Sequence, residues 1–115
     1  MAPYPAYPIP ADEDQRLRDL ERDGVIGMAS DEHFERIVEL ASSIFQVPMS
    51  LISLVEKDRQ WFLTRKGLDA TETPRTMAFC AHAIADDQVL VVPDARADER
   101  FCTNPLVMNE PHIRF

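Results

Sequence analysis

Glycine is scarce here: the chain has three, Gly24, Gly27 and Gly67, among 115 residues. Neither common glycine-rich phosphate loop can be written with so few, because each needs its glycines clustered within one short stretch. Most nucleotide-driven chemistry is thereby excluded. Cysteine is scarcer still: Cys80 and Cys102 cannot make a disulfide scaffold. Two free thiols fit a reducing compartment, and the expectation is a cytoplasmic protein. Positive charge is also short, with 12 Lys and Arg against 20 Asp and Glu and a net charge of −8. That balance argues against nucleic acid, whose phosphates demand a basic face, and against an anionic membrane surface. No long apolar run exists. The strongest, residues 49–55, falls far short of the roughly 20 residues that span a bilayer. Residues 1–10 carry no basic residue and no continuous apolar core, and no secretory signal is expected there.

What remains is ordinary globular composition, 45% hydrophobic and 28% charged, in a length suited to one domain with a modest core. Residues 1–11 read as a proline-rich flexible arm and residues 12–115 as the domain. In the arm, alternate prolines forbid a helix and remove hydrogen-bond donors; Pro5-Ala6-Tyr7-Pro8 has the bare form of a proline-rich ligand, though a tail is the simpler reading. Residues 12–23 are charge-dense, with Leu17 and Leu20 on a thin apolar stripe, and predict a short helix stopped by Gly24. The strongest helical pattern begins at Ser30 as cap. It places Phe34, Ile37, Val38, Ala41, Ile44 and Phe45 on one face, which is expected to be buried. Residues 49–56 predict a strand covered on both faces, and 59–66 a second, aromatic strand ended by Gly67, the two forming a hairpin. Residues 68–75 read as a polar loop, 76–84 as a short helix or turn and 88–92 as a third strand. Residues 98–101 predict one helical turn. From Asn104 the chain reads as loop, until 112–115 enter another strand.

Chemistry-bearing residues gather at Phe79-Cys80-Ala81-His82. A Cys80–His82 nucleophilic pair is weak on geometry, since positions i and i+2 of a helix point about 200° apart. A zinc set from Cys80, His82, Cys102 and His112 has suitable donors but no paired-knuckle spacing. The simpler reading makes Cys80 a small buried hydrophobe and His82 a pocket wall or a partner of a backbone carbonyl. No catalytic residue and no metal ligand is therefore expected. Trp61 and Phe62, adjacent on a strand, must face opposite sides, and one of them suits a ligand wall. Asp94, after Val91-Val92-Pro93, is expected to cap the next turn.

Taken in order, these segments resemble the N-terminal part of a GAF domain, in the bacterial subgroup found ahead of histidine kinases and diguanylate cyclases. The resemblance rests on Phe34-Glu35-Arg36-Ile37 with Leu40-Ala41, Val47-Pro48 leading into Leu51-Ile52-Ser53-Leu54-Val55, and Asp58-Arg59-Gln60-Trp61-Phe62. It continues through Gly67-Leu68, Glu72-Thr73-Pro74-Arg75, Phe79-Cys80-Ala81-His82-Ala83-Ile84, Leu90-Val91-Val92-Pro93-Asp94-Ala95, Asp98-Glu99-Arg100-Phe101 and Asn104-Pro105-Leu106-Val107. It implies an α/β (α+β) fold, a GAF/PAS-like antiparallel sheet with flanking helices. The implied role is a cytoplasmic sensory module of signal transduction that binds a small molecule or dimerises and is not itself an enzyme. By the same resemblance a ligand pocket is lined by Trp61, Phe79, Cys80 and His82; its cofactor, if any, is unknown. Ala81 stands between Cys80 and His82, where bilin-binding relatives have Cys directly before His, which argues against a covalent bilin. Thiol redox chemistry at Cys80 is the enzymatic alternative. The resemblance also implies C-terminal truncation, because the family continues past Ile113-Arg114-Phe115. The apolar strand 49–55 would then keep an open edge, and a homo-oligomer is expected.

Overall fold

The computed structural model describes residues 7–115. The part of the proline-rich arm before Tyr7 lies outside the described residues.

Helix α1 (Glu13–Asp23) ends where Gly24 adopts a left-handed φ of 67° and its N–H returns to the Glu21 carbonyl. Helix α2 (Glu32–Phe45) is capped by Asp31, whose carboxylate accepts from the backbone N–H groups of His33 and Phe34. Ser30, expected as the cap, instead donates its hydroxyl to Thr64 Oγ1 at 2.6 Å and ties the start of α2 to the sheet. Strands β1 (Ser50–Val55) and β2 (Arg59–Lys66) form the expected antiparallel hairpin. The register slips between Ile52 and Ser53, where Leu63 is the extra residue of a bulge. A third strand, β3 (Glu72–Pro74), pairs antiparallel with β2 in the segment read as loop, giving the order β1-β2-β3.

The buried side of α2 is narrower than its sequence suggests. Val38 and Ser42 are buried and Phe34 and Ala41 partly so, but Ile37, Leu40, Ile44 and Phe45 are 55, 60, 63 and 73% exposed. A sheet of three strands, one of them only three residues long, covers only part of the apolar arc. The expectation that Ile37, Ile44 and Phe45 are buried is therefore corrected.

Beyond the sheet the chain is mostly turns. A 3₁₀ turn (Arg75–Met77) leads to helix α3 (Cys80–Ala83), another (Ala95–Ala97) follows Asp94, and helix α4 (Pro105–Met108) lies in the segment expected to be loop. Asn104 caps α4 by accepting from Leu106 N–H, while its side-chain amide donates to the Met77 carbonyl at 2.9 Å. Residues 88–92, expected as a strand, are irregular, with Val89 and Val91 87 and 70% exposed. Residues 98–101 make the expected single helical turn, closed by the Cys102 N–H on the Asp98 carbonyl at 2.8 Å, whereas 112–115 form no strand, though Ala95 N–H donates to the Arg114 carbonyl and Ile113 N–H to that of Leu106. A second small core of Val92, Ala95, Phe101 and Val107 gathers these turns.

Candidate functional site

The sheet has two unlike faces. Directly paired residues share a face, and neighbours along a strand alternate. Thr64, opposite Ile52, bonds Ser30, so Ile52 and Thr64 look toward α2, as do the paired Leu54 and Trp61. Ser53 pairs with Phe62 on the other face, and there its hydroxyl donates to Cys80 Sγ at 3.4 Å. Trp61 and the Phe79–His82 segment thus lie on opposite sides of the sheet. The expectation that all four line one pocket is corrected: Trp61 lies across the sheet, and Phe79, Cys80 and His82, although neighbours around α3, open onto three different clefts.

Helix α3 is held by Phe101, which sequence reading had placed in a turn without a role. The Phe79 and Phe101 rings stack with centroids 4.1 Å apart and an interplanar angle of 5°. The His82 ring meets Phe101 edge-on at 4.9 Å and 76°. Ala81 fills the core, so its three neighbours fan outward into three clefts. Phe79 faces an apolar cleft of about 600 Å³ with Phe45, Leu51, Leu68, Ile113 and Phe115. Cys80 faces one of about 420 Å³ with Ser53, Val55 and the α1 residues Arg16 and Leu20. His82 and Arg100 border a polar one of about 380 Å³.

The electrostatics separate these clefts. Burial holds the His82 imidazole below its usual range, Arg100 pushes it further down, and Asp98 opposes both. Arg100 is paired with Asp98 at 2.7 Å, so its charge is already answered, and the polar cleft suits an anion poorly. Cys80 meets Ser53 rather than His82, and no Cys–His hydrogen bond occurs among the described residues. Nor does any group of three or more His, Cys, Asp or Glu gather as a metal site among them. The apolar cleft, with aromatic walls and few charges, has the character of a small-molecule pocket. Asp94 caps the turn after it, accepting from Arg96 N–H at 3.0 Å.

A model of the GAF domain family matches residues 30–115. The chain belongs to the GAF domain family. Its α+β architecture, helices with a three-stranded antiparallel sheet, is consistent with that fold. The chain is also 45% identical over 108 residues to a cyclic di-GMP phosphodiesterase of Pseudomonas aeruginosa; the match covers 94% of this chain and 18% of that protein. The GAF domain therefore spans under a fifth of the length of its curated relative. A sensory or regulatory signalling module is the role that membership supports. No helix among the described residues is long and apolar enough to cross a membrane.

Arg75 is the residue the sequence reading missed most completely. Read as part of a polar loop, it is 1% exposed. Its guanidinium bonds Glu13 and the carbonyls of Glu56 and Lys57, and lies 4.9 Å from the Tyr7 ring centroid. Its place in the Glu72-Thr73-Pro74-Arg75 segment that carries the resemblance was a signal, but it said nothing of burial.

Proposed function

We propose that this GAF domain is a regulatory input unit for cyclic di-GMP hydrolysis, binding a small, largely apolar molecule in the cleft walled by Phe79, Leu51 and Phe115. One observation carries the reading: the likeness fills 94% of this chain yet only 18% of the phosphodiesterase. A GAF segment shared in this proportion supports reading it as a module beside the catalysis. The apolar cleft, which has room for a ligand, supports that role. Cys80 and His82 open onto two other clefts, on the flanks of α3.

The test is an exchange. Replacing the matched region of the Pseudomonas phosphodiesterase with this chain should keep cyclic di-GMP hydrolysis under control, and Phe79→Ala in the insert should shift that rate. Hydrolysis that stays the same when the insert is deleted or carries Phe79→Ala overturns the proposal. Dimerisation is the second reading, favoured by the exposed apolar stripe of Ile37, Leu40 and Ile44 on α2.

A further inference from the structure

Helix α1 is attached to the domain in an unusual way: none of its residues is buried. Leu17 and Leu20 are only half-buried, and clefts of about 470 and 420 Å³ run along its flanks, with Leu20 lining both. Apolar packing therefore contributes little to holding it.

Charge holds it instead, and at one end. The Glu13 carboxylate accepts from Arg75 at 2.5 and 3.3 Å and from Arg16 at 2.9 and 3.1 Å. Arg16 also donates to the Val55 carbonyl at 2.5 Å, which lies on the edge strand β1. The bidentate contacts of the two guanidiniums with the Glu13 carboxylate, charged on both sides, are of the strong kind. At the other end the helix runs into Gly24 and Gly27, both at positive φ and with open space around them. Glycine's wide backbone freedom at these two positions, on either side of the half-buried Val25 and Ile26, lets the connection turn. Beneath the helix lie the last residues of β1, Ser53 to Val55, together with Cys80, Ala83 and Ile84.

We propose that α1 is a releasable strap, latched by Glu13 between Arg75 and Arg16, which covers the end of the β1 edge and the cleft beside α3 and swings away about Gly24 and Gly27 without unfolding of the sheet. An open edge strand is a template for pairing. The strap therefore sets whether the last half of β1 is available to another strand. The depressed pKa of Glu13, about 2, agrees with a carboxylate held between two cations. The inference is independent of what, if anything, occupies the Phe79 cleft.

Cys80 lies under the strap and Cys102 lies away from it, in the Phe101 turn, so the full chain carries its own probe and reference. Labelling with a bulky maleimide should be faster at Cys80 in Glu13→Gln by about ten-fold, the effect of losing a charge-assisted hydrogen bond. Cys102 and the exposed-face control Glu21→Gln should not change. Because release exposes little surface, Cys80 labelling should be nearly independent of urea below the unfolding transition. Arg16→Gln leaves Arg75 paired, so it serves if Glu13→Gln does not fold; its Cys80 rate should rise by a smaller factor. Unchanged Cys80 labelling in the folded variants, or Cys80 and Cys102 rising together with the urea dependence of global unfolding, overturns the strap.

Discussion

A methyl group on Gly67 would sit 2.0 Å from the carbonyl oxygen of Pro48, and the residue holds φ at +79°. Gly67→Ala meets both a backbone clash and a left-handed conformation. It should destabilise the domain by on the order of 2–4 kcal/mol. A thermal melt checks this, and a wild-type midpoint would show that the loop after α2 yields freely. Glu13 makes a pH-dependent contribution of definite sign. Its carboxyl falls from 4.5 to about 2, chiefly through hydrogen bonds from Arg75 and then Arg16, with burial opposing. A group whose folded value is depressed stabilises fully above its unfolded value and loses that contribution as pH falls through the folded one. Stability should therefore decline between about pH 4.5 and 2, and Glu13→Gln should flatten that decline in a pH series of urea melts.

On the scale of elements, α2 shows what periodicity can and cannot decide. Apolar residues at helical spacing identified the helix, but burial depends on how wide a surface the sheet offers. Val38→Ala should cost on the order of 1–3 kcal/mol, since its two methyls are removed from a packed site. Ile37→Ala should stay within about 0.5 kcal/mol, as expected of an exposed position. Equal losses in chemical denaturation would restore the broader buried face. Strand β3 was illegible for a related reason: Glu72-Thr73-Pro74 has no apolar alternation and is a strand only because Arg59, Gln60 and Trp61 pair with it. The reverse holds at 88–92, where valines suggest a strand that no neighbouring strand among the described residues completes.

For the whole molecule, two unsatisfied surfaces coincide: β1 has no strand on its outer side among the described residues, and α2 exposes an apolar stripe. The net charge of −8 opposes association, but it acts through screened, exposed groups. Sedimentation should show a concentration-dependent species heavier than 13.1 kDa. Joint substitution Ile37→Glu and Ile44→Glu should return the chain to a monomer with its melting curve kept; a wild-type monomer across micromolar concentrations would defeat the expectation. Family and architecture were legible because they are written in ordered local segments. The site was only partly so: adjacency in sequence put Phe79, Cys80 and His82 around one short helix without showing that they open onto different clefts, and the pairing of β1 with β2 sent Trp61 to the far side. The stacked Phe79 and Phe101 rings have a consequence for observation. Parallel rings 4.1 Å apart lie within each other's shielding cones, so their ring protons resonate upfield of ordinary phenylalanine. A molecule settling against Phe79 must disturb that shielding, and the domain thus carries a built-in magnetic reporter of its own occupancy.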